Sequence, residues 1–148
     1  MINLMPNNME QAPIQATDLY TLQLPSVRES ITVLENLIEE IADKHQISDD
    51  TFANMMTCLN EIAINAIVHG NKLDPSKKVI VNVEIDARRA TWTVTDEGDG
   101  FDYVHLADPT APENLEKLTG RGVFIVKHLA DQCVFNAKGN EVELLFKL

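Results

Sequence analysis

The sequence predicts an α/β (α+β) domain, a two-layer sandwich in which helices cover one face of a mixed, mostly antiparallel sheet. Several segments alternate apolar and polar residues, and strands of this kind bury only one face. Other segments repeat apolar residues at helical spacing. A chain of 148 residues is also long enough to enclose one hydrophobic core.

The first part of the chain divides into a tail and the start of the domain. Residues 1–17 mix Asn, Gln, Pro and Met without periodicity, which predicts a flexible tail, and residues 18–148 form the domain. Alternation over 18–24 predicts the first strand. Ser26 and Glu29 have the spacing of a capping box, so we expect Ser26 to cap the first helix.

Two more helices and four more strands follow. Ser48 is suited to cap a second helix that runs to about His69 and ends at Gly70 or Asn71. Apolar spacing predicts a third helix over 123–130. Alternation predicts the remaining strands over 79–85, 91–95, 133–137 and 142–148.

The composition disfavours several classes of function. A net charge of −11 opposes direct binding to nucleic-acid phosphates or to anionic membranes. No apolar run is long enough to span a bilayer, and the first residues lack a signal-peptide pattern, so the expected location is the cytoplasm. Cys58 and Cys133 have no zinc-ligand spacing and are expected to be reduced, packed thiols.

The second helix carries a narrow polar stripe. At about 100° per residue, Glu61 and Asn65 lie about 40° apart with Asn54 between them, and almost every other direction is apolar. A helix that is apolar nearly all round is largely enclosed, so its polar groups are expected to face a cleft, a metal or a partner. An ordinary solvated stripe is the alternative.

A first glycine segment follows the strand that contains Trp92 and Val94. Asp96 shares their strand face, so its carboxylate is expected to turn toward the helices and to need a donor. Gly98 and Gly100 let a ligand approach the backbone. A plain turn is the alternative, and a calcium loop is disfavoured because the two glycines occupy ligand positions.

A second glycine segment, Gly120-Arg121-Gly122, is predicted to open the third helix. Backbone N–H groups at such a point can bind an anion, and Arg121 adds a donor suited to phosphate. A flexible helix start is the alternative. Between the two glycine segments, residues 108–119 contain two prolines and no strong period, which is typical of a lid over a ligand or of a loose loop.

Taken in order, these stretches resemble the ATP-binding boxes of the GHKL superfamily of histidine-kinase-like ATPases, from Tyr20 to the C-terminus. The chain is most similar to stand-alone anti-sigma-factor serine/threonine kinases. The resemblance implies the Bergerat-type ATP-binding fold, ATP and magnesium as cofactors, and an ATP lid over 108–119. It implies phosphorylation of an anti-anti-sigma (STAS-type) partner and sequestration of a sigma factor, and it allows a homodimer. An ATP-gated binding module without phosphoryl transfer is the alternative.

The resemblance also implies a role for each matching residue. Glu61 matches the general base, and Asn65 matches the asparagine that holds magnesium. Asp96 matches the aspartate that accepts a hydrogen bond from the adenine amino group, and Gly98 and Gly100 match the glycines that shape the adenine pocket. The second glycine box, beside the phosphates, corresponds to Gly120, Arg121, Gly122, Val123 and Phe124.

Three positions depart from the family pattern. Asn140 and Glu141 stand where the family often has a threonine near the phosphates and the base. Arg121 stands where many relatives carry a smaller or apolar residue. These departures bear on phosphoryl transfer more than on ATP binding.

Overall fold

The structure is a computed structural model that describes residues 16–100 and 118–148. The predicted tail and the predicted lid therefore lie almost entirely outside the described residues. Within those residues, no helix has the length and apolar character needed to cross a membrane. The elements in chain order are β1 (Asp18–Pro25), α1 (Ser30–Lys44), α2 (Asp49–Ile64), a π-helical turn (Asn65–Gly70), β2 (Lys78–Ile85), β3 (Arg89–Thr95), α3 (Leu118–Leu129), β4 (Gln132–Phe135) and β5 (Glu141–Lys147).

The strands form one sheet in the order β1-β2-β3-β5-β4, and the four pairings in the described part of the chain are all antiparallel. Val83, Trp92 and Leu144 lie opposite one another on β2, β3 and β5 and are buried in one core with helix residues. Their neighbour Thr93 points to the other face, where it is partly exposed. The predicted two-layer sandwich is confirmed.

The start of α1 differs from the prediction. The helix begins at Ser30 with Glu29 at its N-cap position, and no side chain caps it. Ser26 does not cap the helix because its buried hydroxyl donates to the Lys77 carbonyl at 2.7 Å. The same hydroxyl accepts a hydrogen bond from the Asn71 side chain at 2.9 Å. The capping-box prediction was therefore wrong, because a tertiary contact replaces the local one.

The second helix begins as predicted and ends in a wider turn than predicted. The Ser48 side chain caps α2 by accepting a hydrogen bond from the Thr51 N–H at 3.3 Å. After Ile64 the chain continues as a π-helical turn, in which the Asn71 N–H donates to the Ala66 carbonyl at 2.8 Å. That bond spans five residues instead of the four of an α-helix. The predicted end near residue 70 is confirmed.

The third helix begins earlier than predicted. It runs over Leu118–Leu129, so Gly120, Arg121 and Gly122 lie inside its first turns and not before it. Glycine within a helix costs about 1 kcal/mol relative to alanine. At Gly122, close packing supplies the reason, because this residue is buried directly against a side chain of α2.

Candidate functional site

A cleft opens between the C-terminal end of α2 and the ends of β3 and β5. It encloses about 560 Å³, including its open mouth. A largely apolar cleft with a few polar groups is the usual form of a small-molecule site. The lining residues in the described part of the chain are Ile62, Asn65, Ala66, His69, Gly70, Val94, Asp96, Gly100, Phe135, Gly139, Asn140, Glu141 and Val142.

Asp96 lies in this lining, on the helix side of the sheet as predicted. Its Oδ1 accepts a hydrogen bond from the Gly98 N–H at 2.7 Å. Burial raises the pKa of the Asp96 carboxyl, and the Gly98 hydrogen bond and the charge of Lys138 oppose that shift. In the described residues Oδ1 is the only Asp96 carboxylate oxygen with a hydrogen bond. Oδ2 has no hydrogen-bond donor among the described residues.

Three glycines allow the backbone to approach Asp96 and its loop. A Cβ on Gly70 would lie 2.5 to 2.7 Å from the carboxyl atoms of Asp96. A Cβ on Gly98 would overlap the Gly70 carbonyl, and one on Gly100, whose φ is 83°, would overlap the Lys138 carbonyl. Side chains are therefore excluded at all three positions. Gly70 was not predicted as a site residue, although it follows His69 directly at the end of the helix.

Glu61 and Asn65 lie one helical turn apart near the other end of the cleft, and α3 crosses close to them. A Cβ on Gly122 would lie 2.7 Å from Glu61 Oε2 and 3.6 Å from Asn65 Nδ2. Asn65 lines the cleft, and its Nδ2 is buried without a hydrogen-bond partner in the described residues. The predicted polar stripe and the second glycine segment thus meet in space.

Asn71 holds the Asp96 loop from the helix side, which was not predicted from the sequence. This residue is 1% exposed, so its amide needs internal partners. The amide nitrogen donates to Ser26 Oγ at 2.9 Å and to the Lys78 carbonyl at 3.0 Å. The amide oxygen accepts from the N–H of Glu97, the residue after Asp96, at 2.8 Å. The buried Asn71 side chain thus connects the end of the π-helical turn, the end of β1 and the start of β2 to the loop that follows Asp96.

Asn140 holds the same loop from the sheet side. Its side-chain nitrogen donates to the Asp96 carbonyl at 2.9 Å. The sequence marked Asn140 only as a departure from the family pattern. Thr95 pairs with Glu141, so the adjacent residues Asp96 and Asn140 lie beside each other. The sequence could have indicated this contact only if the β3–β5 register had been known.

All five residues of the second glycine segment, Gly120 to Phe124, lie outside the described lining of the cleft. Gly120 and Arg121 are in the first turn of α3. Val123 is buried, and the Phe124 side chain is 36% exposed with its ring centroid 4.2 Å from that of His128. Assignment of these five residues, and of the other predicted site residues, to nucleotide binding or catalysis therefore stays a prediction.

A two-layer sandwich with a glycine-lined cleft, a half-buried aspartate and a carboxylate on the adjoining helix is typical of the class of histidine-kinase-like ATPases. The sequence matches the histidine kinase-like ATPase domain family over residues 24–146, and the chain belongs to this family.

Similar proteins share most of the chain. An anti-sigma F factor of Anoxybacillus flavithermus is 34% identical over 103 residues, which are 65% of this chain and 69% of that protein. The serine-protein kinase RsbW of Bacillus licheniformis is 26% identical over 125 residues, 80% and 78% of the two chains. A crystal structure of RsbU and RsbW domains from Mycobacterium tuberculosis matches with a TM-score of 0.62 and 11% identity. That match covers 88% of this chain and 32% of the longer one, and it concerns the fold.

Proposed function

We propose that the chain is a magnesium-dependent, ATP-binding protein kinase that acts in the cytoplasm. Its substrate is a Ser or Thr of an anti-anti-sigma (STAS-type) partner, and it also binds a sigma factor. Membership of the histidine kinase-like ATPase family supports the use of ATP. The names of the relatives, anti-sigma F factor and serine-protein kinase RsbW, support the partners. The observation that carries the proposal is the close approach of Gly122 to Glu61 and Asn65, beside the cleft that contains Asp96.

The Asp96 end of the cleft suits an adenine base. Oδ2 of Asp96 can accept a hydrogen bond from the exocyclic amino group, and a hydrogen bond to a charged group contributes about 1.5–3 kcal/mol. The raised pKa of Asp96 reflects the cost of burying its charge, and a donor from the ligand offsets that cost. Ile62 and Val94 provide apolar surface in the same cleft for the faces of the ring.

Asn65 fits a magnesium site that relies on few protein ligands. In the described residues, no group of three or more His, Cys, Asp or Glu side chains could hold a metal ion. Magnesium is usually held by one or two protein oxygens together with phosphates and waters. Asn65 lines the cleft, where its amide oxygen would hold a hydrated ion, and its buried Nδ2 has no partner in the described residues. When bound, the ion neutralises charge on the phosphate oxygens.

The proposal assigns the role of general base to Glu61. It accepts the proton of the partner's hydroxyl as that oxygen bonds to the γ-phosphorus and the bond from the γ-phosphorus to ADP breaks. Gly122 lets α3 pack over the Glu61 carboxylate without a side chain in between. Gly120 and Arg121 are in the first described turn of α3, and backbone N–H groups and a guanidinium near the start of a helix suit phosphate oxygens.

A transfer assay tests the proposal. The protein is incubated with its STAS-type partner and γ-labelled ATP, as wild type, as Glu61→Gln and as Glu143→Gln. Glu143 is a matched control because its side chain is exposed on the open face of the sheet. We expect labelled partner with wild type and Glu143→Gln, and transfer slower by about 10²–10⁴-fold with Glu61→Gln.

Two other results separate the alternatives. If the wild-type protein binds ATP but labels no partner, the kinase proposal is contradicted and the ATP-gated binding module is supported. If it binds no ATP, both functions are contradicted.

A further inference from the structure

The turn between β4 and β5 is organised by one asparagine side chain. Asn136 Oδ1 accepts the backbone N–H groups of Gly139, Asn140 and Glu141 at 2.8, 3.1 and 3.2 Å. Its Nδ2 donates to Asn140 Oδ1 at 2.8 Å. Side-chain bonds of this kind fix a turn that the backbone alone leaves loose. The turn therefore presents the Asn140 side chain in one orientation.

Asn140 engages both polar groups of the Asp96 backbone. Its carbonyl accepts the Asp96 N–H at 2.9 Å, which continues the β3–β5 ladder beyond Thr95 and Glu141. Its side-chain Nδ2 donates to the Asp96 carbonyl, also at 2.9 Å. The Asp96 carbonyl lies where the loop to Gly98 begins, and no backbone N–H of the described residues donates to it. A single residue thus fixes the peptide groups on both sides of the Asp96 Cα.

The same turn contacts the loop at a second point. Gly100 has positive φ and lies directly against the Lys138 carbonyl. Lys138 also lowers the pKa of Asp96 through its charge, although burial outweighs this effect. The loop from Asp96 to Gly100 is therefore held at its two ends by residues of the β4–β5 turn.

We propose that Asn140 is a positioning residue for base recognition, which acts through Asp96 and sets the preference for a purine with an amino group at C6. This inference rests on the proposed nucleotide binding. Hydrogen bonds weaken steeply as their angle departs from linearity, so the direction of the Asp96 carboxylate decides how well it recognises the amino group. A site built around such a bond rejects an analogue that lacks the donor, because Oδ2 of the half-buried Asp96 carboxylate then gains no partner from the ligand.

The test compares two nucleotides that differ at C6. Dissociation constants are measured for ATP and for purine riboside triphosphate, which has hydrogen at C6, with wild type, Asn140→Ala and Asn82→Ala. Asn82 is a matched control because it is exposed on the open sheet face and its amide oxygen bonds the Thr21 hydroxyl across strands at 2.9 Å. We expect wild type and Asn82→Ala to favour ATP by about 10-fold or more, and Asn140→Ala to lose most of that preference through weaker ATP binding.

A variant that only destabilises the fold weakens the binding of both nucleotides by the same factor, so an unchanged preference in Asn140→Ala overturns the inference.

Asn140→Asp provides a second variant that keeps the size and the acceptor for Asn136 but removes the donor to Asp96, and it should lose the preference as well. In Asp96→Ala, adding Asn140→Ala should change the preference no further, because Asn140 acts through Asp96. A further loss of preference contradicts the inference. Failure of the wild-type protein to bind either nucleotide overturns nucleotide binding itself together with this inference.

Discussion

The two ends of the cleft differ in how far the protein satisfies the polar groups that support the proposed ligand-binding side chains. Around Asp96, the buried Asn71 amide bonds the Glu97 N–H, and Asn140 bonds the Asp96 carbonyl. Near Glu61, the buried amide nitrogen of Asn65 has no partner in the described residues.

This difference separates recognition from chemistry. A satisfied network holds its geometry before the ligand arrives, so little ordering is left to oppose binding. Unpartnered buried groups are costly and are expected to be completed by the ligand. We therefore expect changes at the Asp96 end to alter nucleotide affinity, and changes at the Glu61 end to alter the rate of phosphoryl transfer.

Apart from Glu61→Gln itself, the largest effect is expected for Asn65→Ala at the Glu61 end. Loss of the only proposed protein ligand for magnesium should slow phosphoryl transfer by about 100-fold or more, since a catalytic metal contributes several kcal/mol to the transition state. The affinity for ADP without magnesium should stay near wild type. Transfer rates and calorimetric titrations measure the two quantities, with Asn82→Ala on the open face of the sheet as control. A normal transfer rate in Asn65→Ala would contradict the assignment of the metal ligand.

Asp96→Asn should have the next largest effect, and on binding. Replacing the carboxylate by an amide should weaken ATP at least about 10-fold, because hydrogen bonds to charged groups contribute about 1.5–3 kcal/mol. Isothermal titration with ATP measures this loss. Asp43→Asn changes an exposed carboxylate on α1 and should bind ATP as wild type does. Equal ATP affinity in Asp96→Asn and wild type would indicate that the adenine base binds away from Asp96.

Gly122→Ala should slow transfer by about 10-fold while it leaves ATP affinity and the fold nearly unchanged. The new Cβ would lie 2.7 Å from Glu61 Oε2, so the carboxylate must move. A shift of about 1 Å in a catalytic group can cost as much as 100-fold. The free energy of unfolding should change by less than about 1 kcal/mol, because the gain in helix propensity opposes the crowding. Unchanged turnover would indicate that the position of Glu61 is not critical.

The smallest effect is a pH dependence of stability at the Asp96 end. Burial raises the Asp96 pKa above the ordinary value of 3.8, so the folded state keeps this proton to higher pH than the unfolded state. The stabilisation of the folded state by this proton is complete below the pKa that Asp96 has in the unfolded state. It is lost as the pH rises through the pKa that Asp96 has in the folded state. Without nucleotide, Asp96→Asn should therefore gain free energy of unfolding relative to wild type between about pH 4 and pH 7. Urea denaturation across this range measures the difference, and a constant difference would contradict the desolvated state of Asp96.

Local patterns were sufficient to predict most of the fold and two parts of the site. Alternation through Trp92 and Val94 turned Asp96 toward the helices, and helical spacing placed Glu61 beside Asn65. These inferences need only the geometry of one strand or one helix. They therefore did not depend on how the elements pack together.

The failures depend on contacts between segments that are distant in the sequence. Ser26 has the local pattern of a cap, but its hydroxyl bonds Asn71, 45 residues away. Asn140 meets Asp96 across 44 residues, through a strand register that the sequence does not state. The start of α3 was predicted too late because glycine is unfavourable within a helix. The packing of Gly122 against α2, which explains a glycine there, is a contact between distant segments.

The π-helical turn over Asn65–Gly70 restricts where this chain can change its length. Deleting one residue within the turn would restore α-helical spacing and rotate the following residues by about 100° relative to the preceding ones. Asn65 faces the cleft on one side of the turn, and Asn71 is buried on the other, so no single deletion between them keeps both in place. Insertions and deletions are instead expected to be tolerated after Asn71, in the exposed stretch that includes Lys72 and Leu73.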